Sequence, residues 1–279
     1  MWSKRMPELP EVETILRSLE PKALGHVIRK VTVIHEKTIK KPDPELFASS
    51  LQGQKITGFN RWGKYLLMEI GSSMVLVIHL RMTGRLIFSE AGFPVNKHTR
   101  VIFYLDQGME IHFQDIRKFG TMHLLNRQDL DTFPPFMALG YDALDSRLTL
   151  DLFLERLKGR RGQVKELLLN QSFIAGVGNI YANEILFKAG IHPQRPADSL
   201  NIQEQKKLYM ALRSVLKSAI RYHGTTLRDY VDGDGNQGEF QNKLRVHSRA
   251  GKPCPSCGNS IVRIKQGGRS SYYCPSCQK

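Results

Sequence analysis

Residues 254–277, CPSCGNSIVRIKQGGRSSYYCPSC, hold all four cysteines of the 279-residue chain. Cys254-Pro255-Ser256-Cys257 and Cys274-Pro275-Ser276-Cys277 are two CxxC pairs separated by sixteen residues. Each pair can place two thiolates on one tight turn, and two such turns complete a tetrahedral site. The piece from about Ser248 onward is too short to bury a core of its own, so a metal supplies stability that apolar burial cannot. Two disulfides would require an oxidising compartment, and the opening MWSKRMPELPE carries no signal-peptide core. A redox CxxC would be expected in a βαβ context, which is missing here. We therefore expect one structural Zn2+ on Cys254, Cys257, Cys274 and Cys277. A closed four-thiolate shell leaves no open position, so the metal is not expected to do chemistry. Between the pairs, Gln266–Tyr273 reads as a hairpin with Arg269 at its tip, a side chain that could meet a phosphate or simply be solvated.

N-terminal to this ribbon, Leu150–Lys158, Val164–Asn170, Ile180–Ala189 and Ile202–Tyr222 read as helices from their apolar spacing. Asp131–Arg147 contains Pro134-Pro135 and Gly140 and reads as a link between domains. Earlier still, Val27–Ile34, Tyr65–Ile70, Met74–Leu80, Arg85–Ser89, Val101–Asp106, Glu110–Gln114 and Thr121–Leu125 are strand-like, with Gly and polar residues between them. A short helix pattern, Val12, Ile15, Leu16 and Leu19, precedes them. The expected fold is an α+β multidomain protein. Residues 1–6 form an extension, 7–135 a β-sandwich with its flanking helix, 136–147 a linker, 148–240 a helical domain and 245–279 the zinc ribbon.

Lys and Arg total 41 against 26 Asp and Glu, a formal charge of +15. Such an excess fits a polyanionic partner, whose counterions a basic surface can displace. No apolar run approaches 18 residues, so no membrane-spanning helix is expected. A cytoplasmic, monomeric protein is the simplest expectation.

Four further stretches occur in order along the chain. They are Pro7-Glu8-Leu9-Pro10-Glu11-Val12-Glu13, His79-Leu80-Arg81-Met82-Thr83-Gly84, Asp115-Ile116-Arg117-Lys118-Phe119-Gly120 and Gly176-Val177-Gly178-Asn179-Ile180-Tyr181. Together with the paired CxxC finger and its Gln-Gly-Gly-Arg hairpin, the set resembles the formamidopyrimidine-DNA glycosylase family. The resemblance covers Met6 to Lys279. It implies a helix–two-turn–helix in the helical domain and a nucleoid-associated, bacterial-type repair enzyme. Its partner would be double-stranded DNA containing oxidised purines, 8-oxoguanine and formamidopyrimidines, lying between the domains. Pro7 matches the family's nucleophilic N-terminal proline and Glu8 its acid/base carboxylate; Glu11 matches a second site carboxylate. Lys64 matches the lysine that assists elimination, and Arg269 the finger arginine tied to phosphate binding and δ-elimination. Met82, Arg117 and Phe119 match the residues that fill the hole left by a flipped base. His98, Arg160, Lys165 and Asn179 match further DNA contacts, and Thr225–Gln241 the base-recognition loop.

Each residue also has a plainer reading. Pro7-Glu8 suits a helix start, where Pro and Glu are common. Lys64 could be a surface lysine, and Phe119 core. The sequence departs from the family at one place. Met1-Trp2-Ser3-Lys4-Arg5 precede Met6-Pro7, and an internal Pro7 has an amide nitrogen that cannot form a Schiff base. We expect Met6 to be the native start, its removal freeing the amine. The competing expectations are a lesion-binding protein without activity, the sister glycosylase type for oxidised pyrimidines, and a generic zinc-ribbon protein. Leu9 argues against the pyrimidine type, whose start reads Pro-Glu-Gly-Pro. The ribbon alone leaves the first hundred and twenty residues unexplained.

Overall fold

The computed structural model describes residues 6–227 and 229–279. Met1–Arg5, on which most of the expected extension falls, and Arg228 lie outside the described residues. The chain opens with α1 (Leu9–Ala23), β1 (Ile28–Val33), β2 (Ile39–Lys41), α2 (Pro44–Leu51), β3 (Ile56–Trp62), β4 (Tyr65–Ile70) and β5 (Met74–His79). It continues through β6 (Gly84–Glu90), β7 (Thr99–Leu105), β8 (Met109–Asp115), β9 (Thr121–Asn126) and the single turn α3 (Pro134–Met137). Then follow β10 (Tyr141–Asp142), α4 (Leu150–Leu157), α5 (Val164–Leu169), β11 (Ile174–Ala175), α6 (Asn179–Ala189), α7 (Ile202–Arg221), β12 (Val262–Gln266) and β13 (Arg269–Tyr273).

The β-rich unit holds two sheets, ordered β1-β7-β8-β6 and β2-β9-β5-β4-β3. Their inward side chains share one core. Val31, Phe103, Ile111 and Phe113 come from the first sheet and Leu66, Met68, Leu76 and Ile78 from the second. Helix α1 adds Val12, Ile15, Leu16 and Leu19 to the same core, the apolar spacing read from the sequence. Three elements were not legible in the strand pattern: β2, α2 and β3. The α2 signal was nevertheless present, since Asp43 caps the helix by accepting from Leu46 N and Pro44 occupies its first turn.

The chain divides into two compact units, one of residues 6–137 with 222–239, the other of 138–221 with 240–279. Two stretches pack differently from the sequence expectation. Residues 138–147, expected within a linker, are built into the helical unit: β10 pairs in parallel with β11, and Gly140 N donates to Gln171 O. A side chain at Gly140 would collide with the Ser172 and Phe173 carbonyls at 2.5 Å, so only glycine allows that approach. Residues 222–239, expected at the end of the helical domain, pack instead with the β-rich unit. Thr225 N donates to Glu11 Oε1, Gly233 N to Ser18 Oγ, and Phe88 N to Gly233 O. These bonds satisfy loop backbone groups at the expense of its continuity with α7, and hydropathy gives no sign of them.

Candidate active site and nucleic-acid interface

Pro7 and Glu8 are buried just before α1, and Glu8 is its N-cap residue. Glu11 Oε2 accepts from Glu8 N at 2.8 Å, one half of a capping box, while its other oxygen receives Thr225 N at 2.7 Å. Glu11 therefore ties the start of α1 to the 222–239 loop. Two residues along, Glu13 accepts from Arg61 Nε at 2.8 Å, and Arg61 Nη1 donates to Gly63 O. Burial opposes ionisation of Glu13, but the Arg61 hydrogen bond and charge, with Arg17, hold its carboxyl below the usual range. The pair fixes the β3–β4 turn, which carries Lys64, against α1. Lys64 is buried, not a solvated lysine. Sequence reading assigned no role to Glu13, although it lies in the quoted Pro7–Glu13 stretch, or to Arg61, because their pairing joins elements 48 positions apart.

His79 is 6% exposed and its Nδ1 accepts from Arg81 N. Burial, helped by the charges of Arg81 and Lys64, pulls its pKa down to about 3. The folded value lies below the unfolded one of about 6.5, so neutral His79 stabilises the fold above that pH. The contribution is lost as pH falls from the unfolded value towards the folded one. Over that window the unfolding free energy of the chain should fall by up to about 1.4 kcal/mol per pH unit more than that of His79→Gln. Denaturant titrations at several pH values measure it, and parallel pH profiles for the two proteins would contradict it.

The loops after β5 and β8 meet. Arg117 N donates to Thr83 Oγ1 and Asp115 Oδ1, Thr83 bonds Asp115, and Gly120 N donates to Asp115 Oδ2 at 2.7 Å. The buried Asp115 carboxylate thus organises the turn whose tip carries Phe119, 50% exposed, and Ile116. The Arg117 guanidinium lies 4.9 Å from the Phe119 ring centroid and reaches Met82 Sδ at 3.0 Å. The three residues expected to fill a base-sized hole are therefore together on one rigid frame, and Phe119 is not core. His98 is joined to the same frame through its carbonyl, which accepts from Asp115 N. Thr83 and Asp115 lie inside the quoted motifs, but their supporting role becomes visible only in three dimensions.

In the helical unit, Gly178 is the N-cap of α6 and Asn179 its first residue. Asn179 Nδ2 and Lys165 Nζ both donate to Ser270 O, at 3.1 and 3.0 Å, and Lys165 also donates to Ser271 Oγ at 2.7 Å. Their common target adjoins Arg269, which is exposed at the tip of the β12–β13 hairpin. Gly267 and Gly268 at that tip have φ of 51° and 73°, the positive values a two-residue hairpin turn needs. Lys165 is fully buried, so its observed partners are the hairpin groups where an exposed phosphate contact was expected. Replacing it by Met would leave Ser270 O and Ser271 Oγ without this donor, a loss of about 1.5–3 kcal/mol. Zinc release from Lys165→Met to a chelator is expected to be roughly ten- to a hundredfold faster. Unchanged release with a salt slope of DNA binding lower by about one unit would instead mark a phosphate contact. Arg160 is exposed beyond α4, away from these bonds.

Two α6 residues unnoticed in the sequence anchor the segment leading to the ribbon. Glu184, 4% exposed, accepts from the backbone N–H groups of Arg245, Val246 and His247. Burial pushes its pKa up against those three donors. Asn183 bridges His247 Nδ1 and Tyr272 N. The sequence marks neither, because it does not reveal that this side of α6 is covered.

The four cysteine sulfurs lie within 4.8 Å of one another, with Cys254–Cys277 at 3.9 Å and Cys257–Cys274 at 3.4 Å. Zinc–sulfur bonds of about 2.3 Å in a tetrahedron require sulfurs about 3.8 Å apart, so the set fits one structural zinc. Without metal the thiols compete for protons, and hydrogen bonding to Cys257, with burial, pushes Cys277 up to about 12. Val246 and Ile261 complete a small core around Cys254 and Cys274.

Three family models match in sequence: the formamidopyrimidine-DNA glycosylase N-terminal domain over residues 6–122, its H2TH domain over 139–231, and a zinc finger found in FPG and IleRS over 251–279. The chain belongs to the formamidopyrimidine-DNA glycosylase family. The chain is 47% identical to formamidopyrimidine-DNA glycosylase of Desulforamulus reducens, over 98% of this chain and 99% of the relative. The Pelotomaculum thermopropionicum protein of that name is 45% identical over the same shares. Among solved structures, a Lactococcus lactis FPG mutant in complex with a Fapy-dG containing DNA aligns with a TM-score of 0.92 at 33% identity, covering 98% of this chain and all of that one. A Lactococcus lactis Fpg complex with abasic site containing DNA gives 0.91 at 32%, covering 98% and 99%. Formamidopyrimidine-DNA glycosylases are DNA repair enzymes, so the chain is an enzyme acting on DNA with a β-rich N-terminal domain, an H2TH domain and a zinc finger. Among the described residues no helix is long and apolar enough to cross a membrane.

Proposed function

We propose that the chain excises oxidised purines, 8-oxoguanine and formamidopyrimidines, and then cuts the strand by β- and δ-elimination. The observation that carries this reading is Pro7-Glu8 buried at the start of α1, beside Glu11 and braced against the turn bearing Lys64. The free amine of Pro7 attacks sugar C1′, the C1′–N bond breaks and the base leaves with a proton; ring opening gives an iminium. That iminium accepts electrons as C2′ loses a proton, and the 3′ phosphate departs. Glu8 moves the protons, Lys64 assists elimination, and Arg269 holds phosphate and promotes the second elimination. Met82, Arg117 and Phe119 replace the flipped base; apolar surface enters the stack and the guanidinium pairs with the widowed base. Glu11, His98, Arg160, Lys165 and Asn179 shape or hold the DNA path, Lys165 and Asn179 through the hairpin. In this reading the enzyme works as a monomer, cytoplasmic and at the nucleoid. The structural zinc, on its four cysteines, supplies fold stability and no chemistry.

Leu9 supports purines over pyrimidines, yet a wild-type Lactococcus lactis FPG, 32% identical with a TM-score of 0.91 over 98% of this chain, was solved with an oxidized pyrimidine containing DNA. The test is single-turnover release of base and strand products from duplexes with one 8-oxoguanine, one oxidised pyrimidine or neither. Faster release of 8-oxoguanine, with both eliminations, supports the reading. Pyrimidine release at the higher rate would replace the substrate, and binding without release would replace the activity.

A further inference from the structure

Three exposed lysines crowd one edge of the β-rich unit. Lys37 precedes β2, and Lys40 and Lys41 lie on it; β2 is the edge strand of its sheet and runs parallel to β9, with Lys41 opposite His123. Together with Glu36, Ile39 and the Pro42–Pro44 segment they line a notch of about 480 Å³. Its two carboxylates offset part of this charge and leave the notch one net positive charge; the Asp43 side chain is turned to Leu46 N at the start of α2, and Glu36 forms no ion pair with the lysines among the described residues. Lys37, Lys40, Lys41, Arg81 and Lys118 are likewise in no ion pair there. Elsewhere on the unit, Arg17, Lys22, Arg61, Arg85 and Arg127 are paired.

The sheet register brings these cations to one end as a strip: Lys41 lies opposite His123, and His79, two residues before Arg81, lies opposite Thr121, three residues after Lys118. Burial lowers the pKa of His123, and the charges of Lys40, Arg81 and Lys41 lower it further; Lys118 and Arg100 act likewise on His35, beyond its own burial. Neutral histidines leave the strip's positive charge on the lysines and arginines. It starts at Arg81, next to Met82, and at Lys118, between Arg117 and Phe119. From Phe119 to His123 the chain can advance at most about 13 Å, at roughly 3.3 Å per residue. Phosphates along one DNA strand recur about every 3.4 Å along the helix axis, so Lys40 and Lys41 lie within about four nucleotides of the wedge.

We propose that Lys37, Lys40 and Lys41 form a phosphate-binding track for the duplex arm that runs past the Met82–Arg117–Phe119 wedge. It rests on the DNA-wedge reading above and adds a contact region outside all the residues assigned there. The track lengthens the footprint on one side of the lesion and reads backbone charge, not sequence.

The test is equilibrium binding of the full chain to duplexes with one tetrahydrofuran abasic analogue, from about 50 to about 200 mM salt. Each arm is in turn short, about two base pairs, or long, about ten, roughly one helical turn. The triple variant Lys37→Ala, Lys40→Ala, Lys41→Ala is expected to lose about two to three units of salt slope with one arm long, and none when that arm is short. The corresponding triple arginine variant keeps the slope, which excludes misfolding at β2. Unchanged slopes on both long-armed duplexes, or an equal drop on the short ones, would overturn the track while leaving the wedge reading standing. An unaltered chain that shows no preference for the abasic duplex would overturn both.

Discussion

A chain begun at Pro7 is expected to give a borohydride-trapped adduct with 8-oxoguanine DNA, and a chain that keeps Met1–Met6 is expected to give none through Pro7. The difference is one of bonding. An internal proline nitrogen is an amide, and its lone pair is delocalised into the carbonyl. A terminal proline is a secondary amine; an α-amino group has a pKa of about 7.7–8.0, so roughly a tenth is neutral at pH 7. A lysine at about 10.4 would be neutral in only about one molecule in 2,500, which makes Lys64 a poor substitute. In the proposed mechanism Glu8 moves the protons, so Glu8→Gln in the Pro7-start chain should slow base release by about 10²–10⁴-fold. Single-turnover kinetics and adduct yields on one duplex, with both chains verified by intact mass, check these expectations. Equal trapping by the unprocessed chain would remove Pro7 from the mechanism.

Removing zinc is expected to abolish DNA binding at a point where the β-rich unit is still folded. Cys274 and Cys254 are almost fully buried in a core too small to hold itself, and structural zinc contributes about 10–16 kcal/mol in peptides of this kind. Without the metal the β12–β13 hairpin loses its register. Ser270 O then no longer receives Lys165 and Asn179, and Arg269 loses its fixed place. Three charge-assisted or anchoring bonds of about 1.5 kcal/mol each correspond to about 10³-fold in affinity. The shared core of the two sheets contains no ribbon residue, so its unfolding transition should persist. Chelator titration followed by fluorescence anisotropy and by thermal unfolding separates the two effects. Affinity that survives complete metal loss would show that the ribbon does not hold DNA.

Much of this was readable from residue type and spacing. Two CxxC pairs specify a four-thiolate cluster whatever lies between them, and the Val12-Ile15-Leu16-Leu19 spacing marks the buried face of α1. The strands from Tyr65 to Leu125 stand out as short apolar, strand-like runs between Gly and polar turns, and lie where expected within a residue or two. What escaped depends on partners remote in sequence. The bond from Thr225 N to Glu11 spans more than two hundred positions, and it assigns residues 222–239 to the β-rich unit. Glu13, Asp115, Asn183 and Glu184 are polar residues whose work is done in buried hydrogen bonds, and a single sequence gives no measure of their burial. Lys165 shows the same limit from the other side: the resemblance implied a DNA contact, and in the structure the ammonium donates to the hairpin beside Arg269.

The most direct test of the mechanism is to identify the atom that carries the sugar. The Pro7-start chain is reacted with an 8-oxoguanine duplex, reduced with borohydride, digested with protease and nuclease, and sequenced by mass spectrometry. The account predicts the residual deoxyribose mass on the N-terminal peptide, at Pro7 itself. The same mass on Lys64, or on any other lysine, would contradict it.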